Sequence, residues 1–433
     1  MNSTAIAETA REHLCPALPR ATELVFERGE GSYLYTADGE AYLDLVAGIA
    51  VCNVGHCHPE VVQAVREQAG RLMHICLVTG YYPSAVRLAD MLAEIAPGDL
   101  DTVFFANTGA EAIEGALKLA RYVTRRPVVI AYRGAFHGRT LAAVSLTSSS
   151  VRYRQHYEPL LPSVYHVTYP YCFRCRFKAE PASCDLECFE DFALLFSHQV
   201  SPQDVAAVVM EPVLGEGGYV FPPERYVRAV RSLCDEHGIL LIFDEIQTGF
   251  GRTGKMFAAE HYGVVPDIMC MAKAMASGLP LSAFMARREL MAQWPGGAHG
   301  TTFGANPVSC AAAVASLEVI TREGLVERSA RLGDYLKGRL EEIKDRYPVI
   351  GDVRGRGLMV AVEFVKPDGR PNGEVCARVI QRCLERRLLF YPCGTYKQCI
   401  RFMPALNIPR EDLDRAIEIF AEVISEVQGE VQS

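Results

Sequence analysis

Two residues of opposite charge each close an apolar run within one stretch, GILLIFDEIQTGFGRTGKMFAAEHYGVVPDIMCMAK, which spans 238–273. Asp244 follows the run at 239–243, and Lys273 follows the shorter run at 268–271. A continuous aliphatic run of this length predicts a strand buried on both faces, as in a parallel sheet. Ligands of such sheets bind beyond the carboxyl ends of the strands, so the acid and the amine face one crevice. A carboxylate can keep a ring nitrogen protonated, and a lysine can hold an aldehyde as a Schiff base. The cofactor with both groups is pyridoxal phosphate. Alone, Asp244 could equally cap a helix and Lys273 could sit in a solvated loop, so the elements around them must carry the argument.

Those elements repeat one geometry. A strand at 103–105 leads into Asn107-Thr108-Gly109-Ala110-Glu111 and a helix at 112–121. A Thr-Gly-Ala turn at a helix start leaves N–H groups free beside a hydroxyl, which is a phosphate seat favoured by the helix dipole. The strand at 127–132 runs into Phe136-His137-Gly138-Arg139. There an aromatic can stack on a planar ring, and an arginine can grip a carboxylate through two bonds. The strand at 204–210 ends in Glu211. Five strands finishing in polar or glycine-rich segments predict a single site at one sheet edge.

Around this core, 33–45 predicts strand-turn-strand, and Pro59 opens a helix to Arg71. His56 and His58, with no third ligand nearby, are read as structural. A strand at 282–286 and a long helix from Pro307 follow Lys273, and a smaller α+β region begins after about residue 321. The expected fold is α/β, with a mostly parallel central sheet flanked by helices. The expected organisation is an N-terminal segment, 1–60, packed with the small domain; a large domain, 61–320; and a C-terminal α+β domain, 321–433.

The chain has 433 residues, of which 49% are hydrophobic and 22% charged, as in globular enzymes. A formal charge of −8 with no Lys/Arg block argues against a nucleic-acid partner. Neither a secretory signal nor a membrane-length apolar run is present, so the cytoplasm is the expected compartment. Fifteen cysteines is a high count. Most are scattered singly, but Cys172-x2-Cys175-x8-Cys184-x3-Cys188 clusters them within an insertion at 171–191. This spacing suits zinc or an iron–sulfur cluster, and equally a reduced cysteine-rich loop.

The stretch quoted above, together with NTGAEAIEGALKLAR, AFHGRT, EPVLGEGG and GTTFGANPVSC, resembles the class III (ω-amino acid) aminotransferases of pyridoxal-phosphate fold type I. Within that family the resemblance is strongest to the 4-aminobutyrate aminotransferases, and it covers nearly the whole chain. It implies a transaminase that moves an ω-amino group to 2-oxoglutarate. An acetylornithine- or ornithine-type substrate, or a racemase or epimerase on the same scaffold, are the alternatives. For the cofactor it implies Lys273 as the Schiff-base and proton-shuttling residue and Asp244 on the ring nitrogen. Gln247 lies near the ring oxygen, Phe136 stacks on the ring with His137 beside it, and Thr108, Gly109 and Ala110 hold the phosphate. Thr302 reaches the phosphate of a neighbouring subunit's cofactor, which implies an obligate homodimer that can pair into tetramers. For substrate it implies Arg401 on an α-carboxylate, Glu211 masking Arg401, and Arg139 on a distal carboxylate; side-chain discrimination is expected to depend on pocket volume near Ala50, Val51 and Tyr81. Animal members carry an iron–sulfur site on a Cys-x2-Cys motif, which extends the metal expectation to Cys172, Cys175, Cys184 and Cys188.

Overall fold

The computed structural model describes residues 3–432. The outermost positions of the 1–60 and 321–433 segments lie outside the described residues. At the centre is a seven-stranded sheet in the order Thr102–Ala106, Ser282–Ala286, Ile268–Met271, Leu240–Asp244, Val205–Met210, Val128–Tyr132, Val164–Val167. All of its strands run parallel except Ser282–Ala286, which is antiparallel to both neighbours.

The continuous apolar runs follow from burial on both faces. Val128, Ile130 and Tyr132 join one apolar cluster with Val208, Met210, Leu241 and Phe243. The alternating Val129, Ala131, Ala207, Val209 and Ile242 join a second cluster on the opposite face. Register then sets the site. Met210 pairs with Phe243, and Asp244 pairs with Cys270, so Glu211, Asp244 and Lys273 emerge at the same edge.

A four-stranded sheet near the amino terminus holds Phe26–Glu30, Tyr33–Thr36 and Ala41–Asp44. Its fourth strand, Leu388–Leu389, comes from the carboxyl-terminal part of the chain and pairs parallel with Ala41–Asp44. The third sheet is antiparallel in the order Ile350–Arg356, Met359–Phe364, Cys399–Phe402, Tyr391–Cys393. Helices Leu325–Lys344, Gly373–Glu385 and Arg410–Gln432 pack around it.

The cysteine-rich insertion is tied to this third sheet by a charge network. Glu363, fully buried, takes bonds from Tyr171 and Arg174 of the insertion and an ion pair with Arg354 at 2.8 Å. Arg354 also donates to the carbonyls of Gly218 and Tyr219, each at 3.1 Å through Nε. Elements without a clean apolar run depart from expectation. The edge strand Val164–Val167 and the helices Pro83–Ile95 and Glu224–His237 were not predicted from periodicity.

Candidate active site

One cavity of about 580 Å³ opens at the carboxyl edge of the central sheet. Every candidate cofactor and substrate residue except Thr302 lines it, Lys273 and Asp244 included. Thr302 is exposed and lines an adjacent cleft with Asn107, Glu111 and His299.

The floor is set by Asp244. Its Oδ2 lies 2.7 Å from His137 Nδ1, and its Oδ1 accepts the Ile246 N–H at 3.1 Å. His137 is almost fully buried, and its Nε2 has no hydrogen-bond partner. Although burial disfavours its charged form, the bond to Asp244 and that carboxylate's charge raise the imidazole pKa. Glu211 stands beside this pair with both oxygens occupied. Oε2 accepts the Phe136 N–H at 2.9 Å, and Oε1 accepts the Gly215 N–H at 3.0 Å. Burial first, and then the charge of Asp244 against the pull of His137, push its carboxyl pKa up.

Lys273 keeps some surface toward the cavity, yet desolvation by the surrounding protein lowers its amine pKa against the pull of Asp244 and Glu211. Its backbone has φ 44°, a left-handed conformation that a side-chain-bearing residue holds only under constraint. At the opposite wall, helix Gly109–Thr124 begins with a capping box: Thr108 Oγ1 accepts the Glu111 N–H at 3.3 Å. Gly109 lets the helix start approach Ile246 closely; a Cβ there would lie 2.9 Å from Ile246 Cδ1, so that side chain would have to shift. Gln247 reaches the cavity with its Oε1 unpartnered. Val51 lies on a rim turn in which Ala47, Gly48, Ile49 and Ala50 all have positive φ. Asp44 holds that turn by accepting the N–H groups of Val46 and Ala47 and pairing with His56 at 2.7 Å.

Two arginines reach the cavity from different directions. Arg401 is 1% exposed; it sits between the rings of Tyr219 and Tyr391, at 5.8 and 5.2 Å, and its Nε is unpartnered. Arg139 is exposed, with its guanidinium 4.9 Å from the centre of the Tyr153 ring and 5.8 Å from that of Phe136.

The expected partnership of Glu211 with Arg401 is corrected. Glu216 Oε2 pairs with Arg401 at 3.4 Å, whereas each Glu211 oxygen is held by a backbone N–H. The turn after Leu214 folds back so that Leu214 bridges Val220, and this carries Glu216 to Arg401. Glu216, with Tyr153 and Lys397 on its Oε1, is therefore a neighbour of Arg401 that spacing did not reveal; the glycines flanking Glu216 were the only signal.

The expectation of zinc or an iron–sulfur cluster at the cysteine-rich insertion is not supported. Cys172, Cys175, Cys184 and Cys188 line one small cavity of about 60 Å³, and Arg225 donates to Cys184 Sγ at 2.7 Å. Zinc–thiolate bonds of about 2.3 Å require tetrahedral sulfurs roughly 3.8 Å apart. Among the described residues, the only set of three or more ligand-type side chains with donor atoms within 4.8 Å of one another is His58, Glu60 and Glu323. The four thiols share a cavity, and no three of their sulfurs lie within 4.8 Å of one another.

The model of the aminotransferase class-III family matches residues 17–424. An alanine/serine racemase of Pyrococcus horikoshii is 39% identical over 417 residues, which is 94% of this chain and 87% of that protein. A protein named probable 4-aminobutyrate aminotransferase, from Bacillus subtilis (strain 168), is 41% identical over 90% of this chain and 91% of its own. The crystal structure of a Bacillus anthracis aminotransferase superposes with a TM-score of 0.92 at 31% identity, covering 98% of each chain. With an acid and a lysine facing one cavity beside a helix amino terminus, and a family match over nearly its whole length, the chain belongs to the class III aminotransferases, which are pyridoxal-phosphate-dependent enzymes.

Proposed function

We propose that this enzyme transfers the amino group of an ω-amino acid, 4-aminobutyrate or a close analogue, to 2-oxoglutarate, releasing a semialdehyde and glutamate. The observation that carries this reading is the pair of unlike arginines. Arg401 is buried and charge-matched by Glu216, and Arg139 stands open on an aromatic platform. An ω-amino acid with one carboxylate needs only Arg139, so Arg401 stays neutralised by Glu216. A dicarboxylate acceptor takes Arg139 with its distal carboxylate and Arg401 with the other, displacing Glu216.

The residues fit the cofactor. Unpartnered Gln247 Oε1, the anchored carboxylate of Asp244 and the helix start at Gly109 all face the same cavity. When bound, pyridoxal phosphate supplies an aldehyde that takes the amine and a ring that draws electrons from the Cα–H bond. Thr108, Gly109 and Ala110 would hold its phosphate at the helix amino terminus. Asp244, fixed by His137 and the Ile246 N–H, would hold the ring nitrogen protonated. Lys273, its amine pKa lowered by burial, takes the proton from the substrate carbon and returns it one position away.

Thr302 is assigned to a second subunit's cofactor, in a homodimer able to pair into tetramers. Met73 and Phe303 are exposed apolar side chains of one cleft, and Phe303 also lines the cleft of Thr302, the kind of surface a second copy buries. All fifteen cysteines are free, which fits a reducing cytoplasm, and no described helix is long and apolar enough to cross a membrane.

The racemase relative supports a second reading, in which the proton returns to the opposite face of the same carbon and no nitrogen moves. Incubation with 4-aminobutyrate, β-alanine, 5-aminovalerate, ornithine, acetylornithine or alanine, with and without 2-oxoglutarate, separates the two. The transaminase reading expects glutamate to form only when donor and acceptor are both present. Inversion of a single enantiomer without glutamate would establish the racemase instead.

A further inference from the structure

The Glu216 carboxylate is shared unequally. Its Oε2 faces Arg401 at 3.4 Å, but its Oε1 lies 2.6 Å from Lys397 Nζ and accepts the Tyr153 O–H at 3.1 Å. The closer cation is therefore the one that does not line the substrate cavity. Lys397 is also fixed in place. It sits in the left-handed region at φ 55°, and its N–H donates to the Gly394 carbonyl at 2.9 Å. The Gly394 N–H in turn donates to the backbone carbonyl of Glu216 at 2.8 Å, so the two turns are clamped together. Tyr153 carries the second link, because its ring also lies beneath the Arg139 guanidinium.

A carboxylate that swings off a buried arginine leaves behind two uncompensated charges unless each finds a partner. The incoming dicarboxylate supplies one for Arg401. We propose that Lys397 and Tyr153 supply the other: they form the resting place of the Glu216 carboxylate when Arg401 is released. Lys397 is thus a positioning residue that sets how readily the enzyme accepts a dicarboxylate relative to a monocarboxylate. This rests on the two-arginine reading of the site but not on which amino acid donates nitrogen. Without Lys397, Oε1 keeps only the neutral Tyr153 hydroxyl, so Glu216 settles on Arg401 and a second carboxylate must compete for it.

The test is the ratio of glutarate to valerate affinity, measured by isothermal titration on the cofactor-loaded enzyme, in wild type, Lys397→Met, Lys397→Arg and Glu216→Gln. Lys397→Met is expected to weaken glutarate by about tenfold, the scale of one charge-assisted hydrogen bond, with valerate changed by less than about twofold. Lys397→Arg restores the wild-type ratio. In the Glu216→Gln background, Lys397→Met has no further effect, because the carboxylate it positions is gone. The proposal is overturned if Lys397→Met leaves the ratio unchanged, if it weakens both ligands alike, or if it acts equally with Glu216→Gln present, which would make Lys397 a direct substrate ligand. Failure of the two-arginine reading gives a different result, wild-type enzyme that binds glutarate no better than valerate.

Discussion

Glu245, next to the cofactor-facing Asp244, holds the loop that carries Gln247. The carboxylate is fully buried; Oε1 accepts the Ala259 N–H at 2.7 Å, and Oε2 accepts the Ala258 N–H at 3.0 Å and the Thr248 hydroxyl. Burial foremost, with the Asp244 charge adding to it, pushes its pKa up to about 7 against the pull of those three donors. A carboxyl raised from 4.5 in this way contributes stability that is complete below its unfolded pKa and is lost as pH rises through the folded value. Between about pH 5.5 and about pH 8.5 the loss works out at about 2 kcal/mol. Glu245→Gln never ionises, so it escapes this loss. It also points an amide NH2 at one of the two N–H donors, which costs about 1–3 kcal/mol at every pH. The variant is therefore expected to be less stable near pH 5.5, with the gap closing by about 2 kcal/mol near pH 8.5. Urea unfolding of cofactor-free wild type and variant, followed by fluorescence of the single tryptophan, measures this gap. Trp294 packs on Phe104 and Phe284 of the central sheet and so reports on the sheet that holds Glu245. A gap that is constant with pH, or that widens as pH rises, would refute the reasoning.

Lys273→Ala is expected to retain cofactor only by its phosphate and ring contacts: borohydride should fix no label to the chain, and turnover should fall below detection. Thr302→Ala should weaken cofactor retention on dialysis. Mixed with Lys273→Ala and dialysed, it should yield hybrid dimers with one intact site, whose activity survives dialysis better than that of either variant alone; no such gain would place Thr302 in its own chain's site. Gly333→Ala drives a Cβ to 2.0 Å from the Gly357 carbonyl oxygen, so a loss of about 1–3 kcal/mol is expected in thermal unfolding. Zinc and iron assayed on anaerobically purified protein should fall well below one per chain, given the separation of the insertion's sulfurs; a stoichiometric metal would establish a ligand set there.

The apolar runs made the central sheet legible, because burial on both faces leaves no polar residue until the strand ends. Val164–Val167 escaped because an edge strand is half exposed and its YH pair breaks the run. Asp244, Lys273 and the helix start at Gly109 could be found because each follows directly from a strand. Glu216 could not, since its role depends on how five residues fold back after Glu211. Both glutamates stand in one motif, EPVLGEGG, and only the turn decides which one finds the arginine. The four consecutive positive φ angles at 47–50 left no trace in composition, since only Gly48 among them is a residue that favours that conformation. The cysteine spacing was legible as a pattern, but the separation of the sulfurs in space was not.

The network joining the insertion to Glu363 has a consequence for anyone who would shorten this chain. The segment at 171–191 looks dispensable, a polar loop outside the sheet order. Yet Tyr171 and Arg174 close the shell around a carboxylate with no access to water, and the same Arg354 that completes the shell braces the Gly218 and Tyr219 carbonyls beyond Glu216. Trimming the loop alone would leave that carboxylate only Arg354 and the Cys399 thiol as partners and slacken the turn that carries Glu216 to Arg401. A viable deletion must replace Glu363 and Arg354 with an apolar pair of matching volume, and the turn must then be buttressed by other means.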